Sequence, residues 1–132
     1  MKAKRTVAML LAAMVMVSGT PAIAQASSYQ GYSLPRLKGN NYTSLHDKTK
    51  DDDYIKNKVT ALTNTTYVNT WAVTSGNKSI SNKYKQGVGT GEKTIYFSSG
   101  NNLNKNDEVG LGMENYESST SYAWVSGEVN FY

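Results

Sequence analysis

The sequence predicts an all-β fold: an antiparallel β-sandwich of about seven strands that follows a cleaved N-terminal signal peptide. Three observations carry this prediction. Beyond residue 26 the chain alternates apolar and polar side chains with the period of two that strands require. The same part is rich in Tyr, Thr and Val, which suit a pleated surface, and in Asn and Gly, which suit its turns. The chain has no Cys, so an apolar core must hold the fold without disulfides.

Residues 1–26 have the layout of a secretory signal peptide. A positively charged start is followed by the uncharged apolar run 7–17 and then by small residues. A membrane-spanning helix needs about 20 apolar residues, and this run falls well short. The basic residues of the start are Lys2, Lys4 and Arg5.

Cleavage is expected after Ala26, with Ala24 as the alternative, because small residues stand where a signal peptidase reads them. Residues 27–132 then form a single β-sandwich domain, which we expect to be secreted. Three of the 14 basic residues leave with the leader, so 11 basic residues stand against 10 acidic ones. A net charge of +1 without a clustered basic face argues against nucleic acid as a partner.

The first strands follow from alternation and from the residues that interrupt it. Residues 29–34 form a candidate strand that Pro35 ends. The polar stretch 36–53 is predicted to be a long loop, and residues 54–62 form the next strand. One side of that strand carries Ile55, Val59 and Ala61.

Two more strands, residues 66–74 and 80–85, are joined by a turn at Ser75-Gly76-Asn77 that suits a tight hairpin. The face of the first of these strands that carries its larger side chains consists of Tyr67, Trp71 and Val73.

The stretch QGVGTGEKTIYF, residues 86–97, has the glycines and the Lys-Thr pair of a phosphate-binding loop. Glu92 separates Gly91 from Lys93, so the spacing fails by one residue, and a strand pattern follows where the motif requires a helix. We therefore expect no nucleotide. The glycines are predicted to form a turn between two antiparallel strands, the second of which carries Ile95 and Phe97 on one side.

The last two strands have the clearest alternation. In DEVGLGMEN, residues 107–115, glycines occupy the face opposite Val109, Leu111 and Met113. In SYAWVSGEVNFY, residues 121–132, an apolar face is interrupted by Gly127. Its apolar members are Ala123, Val125, Val129 and Phe131.

Titratable residues give no catalytic pattern. His46 has Asp47 beside it, but no serine stands in a nucleophile elbow, and a solvated surface histidine is expected. Residues 51–53 are three adjacent aspartates without the spacing of a calcium loop, which favours a solvated turn. A glycosidase pair among Glu114, Glu117 and Glu128 is left open, because the distance between carboxylates is a three-dimensional property. The sequence predicts no catalytic residue, no metal ligand and no cofactor.

Three aromatic residues are the candidate partner-binding residues: Tyr122, Trp124 and Tyr132. They fall on the face of the last strand opposite Val125 and Phe131. If that second face packs in the core, these rings meet solvent or a partner, and exposed rings can stack on sugars or lie at a membrane interface. The alternative is that both faces of the strand are buried.

Two longer stretches carry a resemblance to a known group of proteins. These are NTWAVTSGNKSISNKY, residues 69–84, and EVGLGMENYESSTSYAWVSGEVNF, residues 108–131. With the leader, they resemble an uncharacterised family of small secreted all-β proteins of Gram-positive bacteria. In overall build the chain is also similar to lactococcin-type bacteriocins, which are exported β-sandwich proteins without Cys. The first resemblance implies no functional residue, and the second implies an antimicrobial activity.

Three functions follow from these features. The first is a secreted, non-enzymatic protein that binds a component of a cell envelope, in the manner of a bacteriocin. The second is a carbohydrate- or cell-wall-binding module that uses the aromatic residues around Trp124. The third, a small secreted hydrolase, has the least support because the usual catalytic patterns are missing.

Overall fold

The computed structural model describes residues 26–132, and over this range the chain forms ten strands. In chain order they are β1 Ala26–Leu34, β2 Asn40–Tyr42, β3 His46–Asp47, β4 Tyr54–Thr63, β5 Val68–Thr74, β6 Lys78–Ser79, β7 Tyr84–Gln86, β8 Glu92–Tyr96, β9 Glu108–Asn115 and β10 Ala123–Asn130.

The strands form two antiparallel sheets that pack together. The front sheet has the order β1-β10-β4-β8, and the back sheet has the order β2-β9-β5-β6, with β3 also paired to β9 and β7 to β5. The predicted β-sandwich is therefore confirmed. The predicted leader lies outside the described residues apart from Ala26. From Ala26 to Tyr132 there is no helix long and apolar enough to cross a bilayer.

The strand count exceeds the seven predicted strands because four of the ten strands are short elements of two or three residues. The segment 36–53 was expected to be a loop, but it contains β2 and β3, which pair with β9. The predicted strand 80–85 is replaced by β6 and β7, two short strands that both pair with β5. Such short elements have no alternation of their own, so only their pairing partners define them.

The core lies between the sheets and is formed by the faces predicted for the last two strands. Val109, Leu111 and Met113 of β9 are buried there, and so is the apolar face of β10. The buried residues of β10 and its continuation are Ala123, Val125, Val129 and Phe131. The prediction of these two faces is confirmed.

The side chains predicted to share one face of β5 lie on the outer side of the back sheet and not in the core between the two sheets. Val68 and Ala72 belong to the core between the sheets, whereas Trp71 and Val73 lie on the outer face of the back sheet. Trp71 is nevertheless only 2% exposed, because its indole ring lies across Gly112 of the neighbouring strand. A Cβ atom on Gly112 would lie 2.4 Å from that ring, so the glycines of β9 make room for a second, outer apolar layer.

A bulge changes the face of β4 halfway along the strand. Ser126 pairs with Ala61 and Gly127 pairs with Val59, which leaves Thr60 as an extra residue. Ile55 and Val59 are buried as predicted, but Ala61 is exposed and Leu62 packs against the core instead. The prediction for Ala61 was wrong because one inserted residue reverses the alternation.

A buried hydrogen-bond network joins the two sheets inside the core. The Tyr29 hydroxyl donates to Asn57 Oδ1 at 2.9 Å, and Asn57 Nδ2 donates to Gln86 Oε1 at 2.9 Å. The Thr70 hydroxyl donates to the same Gln86 oxygen at 2.6 Å, and Gln86 Nε2 donates to the Asn57 carbonyl. Tyr29 and Asn57 belong to the front sheet, whereas Gln86 and Thr70 belong to the back sheet. Buried polar groups satisfied in this way specify how the sheets align.

We expect Gly127→Ala to lower the free energy of unfolding by about 1–3 kcal/mol. A Cβ atom there would lie 2.4 Å from the Tyr29 hydroxyl and 2.4 Å from the Lys58 carbonyl oxygen, and the backbone atom cannot rotate away. Urea unfolding measures the loss. Gly89→Ala is the matched control, because nothing lies within 4 Å of the added methyl group. Equal stabilities of the two variants would contradict the close packing at Gly127.

We also expect alkaline destabilisation that depends on Tyr29. Burial raises the pKa of its hydroxyl to about 12 from 10.0, against the opposing effect of the hydrogen bond to Asn57. Folding therefore favours the neutral hydroxyl. Its contribution to the free energy of unfolding is complete below pH 10 and is lost as the pH rises toward 12. This contribution amounts to at most roughly 3 kcal/mol. Urea unfolding at several pH values should show a smaller decline in Tyr29→Phe, and an identical decline would contradict this assignment.

Candidate functional site

Four loops meet at one end of the sandwich because each of them connects the two sheets there. They are residues 35–39, 64–67, 87–91 and 116–122, which join β1 to β2, β4 to β5, β7 to β8 and β9 to β10. Trp124, which follows the last of these loops in β10, pairs with Thr63 at the end of β4. We call these four loops together with Trp124 the loop surface.

The loop surface carries five of the six large apolar side chains that are exposed in residues 26–132. The sixth, Tyr96, ends β8 at the opposite end of the front sheet. Single exposed apolar residues are ordinary, whereas a group of them at one end of a protein makes that end the candidate site. The five are Leu37 at 68% exposed, Val88 at 52%, Tyr122 at 45%, Trp124 at 39% and Tyr116 at 37%.

Leu37 is held outward by an unusual backbone. Leu37 and Lys38 both have left-handed φ angles, 58° and 59°, which residues other than glycine rarely adopt. The Leu37 amide donates to the Ser119 carbonyl at 2.7 Å, so the β9–β10 loop fixes this conformation. A strained backbone that presents a leucine to solvent is typical of a binding loop, since strain concentrates at functional sites.

Cationic side chains lie beside the exposed rings. The Arg36 guanidinium is 5.6 Å from the centre of the Tyr122 ring, and Lys38 Nζ is 5.9 Å from that of Tyr116. Lys85 Nζ lies 4.3 Å from the Tyr116 ring and a similar distance from Tyr67. The exposed rings of Tyr122 and Tyr116 therefore each have a cation beside them.

Many polar groups of the four loops are already paired within the protein. The Thr65 hydroxyl donates to Asn115 Oδ1 at 2.8 Å, and the Thr90 hydroxyl donates to the Gly87 carbonyl at 2.7 Å. Asn64 Nδ2 donates to the Tyr122 carbonyl, and the Ser121 amide donates to the Ser119 hydroxyl. These groups keep their hydrogen bonds if the surface is dehydrated by a partner.

The structure brings together two of the three predicted partner-binding residues. Tyr122 and Trp124 belong to the loop surface and are exposed. Tyr132 lies beyond the other end of β10, roughly 26 Å from Trp124 along the strand direction. The three rings share the outer side of the front sheet, but they do not form one patch, because alternation places residues on a face and says nothing about distance along it.

Tyr132 belongs to a separate aromatic group at the opposite end. Its ring centre is 5.4 Å from that of Tyr54, which in turn is 5.8 Å from Tyr96. Lys56 Nζ lies within 6 Å of both the Tyr54 and the Tyr132 rings. Partial burial and the nearby Asp52 carboxylate raise the pKa of Tyr54.

Sequence reasoning missed three members of the loop surface: Leu37, Val88 and Tyr116. Each lies in a connection rather than in an alternating strand. For two of them the sequence contains a local signal, an apolar residue at the tip of a turn. Leu37 stands between Pro35 and Gly39, and Val88 stands between two glycines.

The glycine-rich stretch forms a turn, as predicted, but the two strands it joins, β7 and β8, lie in different sheets and do not pair with each other. Residues Val88–Thr90 make one 3-10 turn, and Gly91 has a φ of 71° before β8 begins at Glu92. This turn and the loop 64–67 flank a cleft of about 560 Å³ that also contacts Leu62. The lining has no charged side chain; its largest members are Tyr67, Leu62 and Val88.

His46 is not the solvated surface histidine expected from the sequence. It lies in β3, and its ring stacks on Phe131 with 4.6 Å between ring centres and 11° between planes. Burial lowers its pKa below the usual 6.5, and the Asp47 carboxylate opposes that shift. Its Nε2 atom is 3.4 Å from the Ser44 hydroxyl, so the pair is longer than the close contact of an activated nucleophile.

Two of the carboxylates left open as a glycosidase pair, Glu114 and Glu128, do not converge, and the third, Glu117, lies in the loop 116–122. Glu114 is nearly buried on the outer face of the back sheet, where it pairs with Lys83 at 2.9 Å and accepts a hydrogen bond from Asn69. Glu128 is exposed on the outer face of the front sheet. The sandwich separates these two groups.

The aspartates at residues 51–53 lie near a buried lysine. Lys48 is 1% exposed, and its Nζ atom lies 5.2 Å from the centre of the Phe97 ring. Burial lowers the pKa of Lys48, while the aspartates oppose that shift. Asp51 Oδ1 accepts a hydrogen bond from the Lys105 amide at 2.8 Å. In the part of the chain described, no three His, Cys, Asp or Glu residues are grouped so as to hold a metal ion.

The stacking of His46 makes a testable prediction, because the chain contains one histidine. Its imidazole protons should titrate in the proton NMR spectrum with a pKa below 6.5, and Asp47→Asn should lower that pKa further, since the opposing carboxylate charge is removed. A pKa at or above 6.5 in the wild type would contradict the packed position of this ring.

No model of a known protein family matches this chain, and no curated protein sequence matches it.

Proposed function

We propose that this is a secreted, non-enzymatic protein that binds a component of a cell envelope through the loop surface. The observation that carries the proposal is the gathering of five exposed large apolar side chains at one end of a rigid sandwich. Secretion is supported by the leader-like residues 1–26. Bacteriocin-like activity is one form of this function, and growth inhibition of Gram-positive bacteria by the purified protein tests it.

The rest of the described structure supports binding over catalysis. His46 packs against Phe131, Glu114 is neutralised by Lys83, and Glu128 lies on the opposite side of the sandwich from Glu114. Within residues 26–132, the positions of His46, Glu114 and Glu128 therefore do not favour the third function, a small secreted hydrolase.

A carbohydrate- or cell-wall-binding module is the second candidate, and the cleft between residues 64–67 and 87–91 favours it. An uncharged cleft that contains a tyrosine suits a neutral sugar ring, which stacks on aromatic faces. Against it, the Thr65 and Thr90 hydroxyls already donate within the protein, which leaves fewer donors for sugar hydroxyls.

The main proposal predicts that Trp124→Ser and Tyr122→Ser each weaken retention on isolated cell envelopes of Gram-positive bacteria by about tenfold. Each substitution removes contact area from the loop surface and leaves the buried core unchanged. Tyr96→Ser is the matched control, because that tyrosine is 61% exposed at the other end of the front sheet. Equal retention of all three variants would refute the loop surface as the contact site.

With the sugar in this cleft, and not on Trp124 as the sequence alone suggested, the second candidate predicts retention on purified peptidoglycan that Tyr67→Ala reduces and Trp124→Ser leaves unchanged. Tyr67 lines the cleft, whereas Trp124 lies outside it. A pull-down with each variant separates the two functions, and no retention of the wild-type protein on peptidoglycan would remove the second one.

A further inference from the structure

We propose that the loop surface binds the surface of an anionic lipid bilayer, with Leu37, Trp124 and Tyr122 entering the interface between headgroups and acyl chains. This inference rests on the proposed function and names its partner.

The first argument is the chemical composition of the loop surface. An aliphatic side chain at the tip, aromatic rings around it and cations beside the rings are the residues that bilayer interfaces favour. Leu37 is the most exposed of the large apolar residues, and Arg36 and Lys38 flank it directly in the chain. The long stem of Arg36 allows its charge to reach phosphate groups while the leucine is buried. Lys38 Nζ lies 4.0 Å from the Glu114 carboxylate, so its charge is shared with that group.

The second argument is the hydrogen bonding of the loops. Lipid offers few donors and acceptors, so backbone and hydroxyl groups that enter an interface must find partners within the protein. The Leu37 amide, the Thr90 amide and the Tyr116 amide all donate to carbonyl groups of the protein. A sugar ligand would favour free polar groups instead, and this contrast is the reason for choosing a bilayer as the partner.

The third argument is the distribution of charge between the two ends of the sandwich. The four loops contain 21 residues and only three charges, those of Arg36, Lys38 and Glu117. The opposite end, formed by residues 46–53 and 104–108, contains six acidic and three basic residues, a net charge of −3.

These opposite-end segments contact one another. The Lys48 amide donates to the Asp107 carbonyl, and the Lys105 amide donates to Asp51. β9, which runs from one end to the other, has eight residues, so the acidic end lies roughly 26 Å from the loop surface. An anionic surface repels the acidic end and attracts the loop surface, and this orients the molecule before contact.

The test uses the natural fluorescence of the protein and vesicles of phosphatidylglycerol and phosphatidylcholine in equal parts. Trp71 is buried and Trp124 is exposed, so a bilayer changes the environment of Trp124 alone. We expect a blue shift on binding and quenching by lipids spin-labelled near the headgroup. Trp124→Phe should bind with no blue shift, which assigns the signal.

Leu37→Ser is expected to weaken partitioning into these vesicles by about tenfold, because an apolar side chain of this size no longer enters the interface. Tyr96→Ser is expected to leave partitioning unchanged. Vesicles of phosphatidylcholine alone, or addition of about 0.5 M NaCl, should weaken binding, since both reduce the attraction between Arg36, Lys38 and the lipid phosphates.

Absence of binding to anionic vesicles would overturn the inference, and so would a loss caused by Tyr96→Ser in place of Leu37→Ser. Equal binding to both vesicle compositions would overturn the assignment to anionic lipid. Retention on cell envelopes without binding to vesicles would leave the proposed function standing and remove the bilayer as partner, whereas failure of both assays would remove both.

Discussion

The contact between the two sheets depends on the buried hydrogen-bond network of Tyr29, Asn57, Gln86 and Thr70. A chain without Cys has no disulfide between its sheets, and apolar packing alone does not specify one alignment of two β layers. Asn57 and Gln86 connect β4 of the front sheet with β7 of the back sheet through two hydrogen bonds of 2.9 Å. A shift of one sheet relative to the other would leave these amides buried without partners.

The same network positions the loop surface. Gln86 is the last residue of β7, and the loop 87–91 begins directly after it. β1 continues from Tyr29 to Leu34, next to the loop that carries Leu37. Gly127 lets Tyr29 approach β10, since any larger residue would overlap the tyrosine hydroxyl. The rigidity of the exposed end therefore begins in the polar centre of the core.

The sequence was sufficient for the fold class and for the faces of β9 and β10, because their alternation is long and uninterrupted. The sequence was insufficient where the neighbours of a strand, and not its own alternation, decide which of its side chains are buried. Trp71 is buried on the outer side because Gly112 in a distant part of the sequence leaves space for it. Thr60 reverses the alternation of β4, and no local pattern marks that bulge. For the site, Tyr122 and Trp124 were found from their strand, whereas Leu37, Val88 and Tyr116 come together only through the connections between sheets.

A double-mutant cycle on Asn57→Ala and Gln86→Ala, measured by urea unfolding, shows whether the buried network aligns the two sheets. We expect the two changes to be coupled by about 1–2 kcal/mol, because they remove the same hydrogen bond between the sheets. Additive effects, with a coupling energy below about 0.3 kcal/mol, would contradict the claim that this network aligns the two layers.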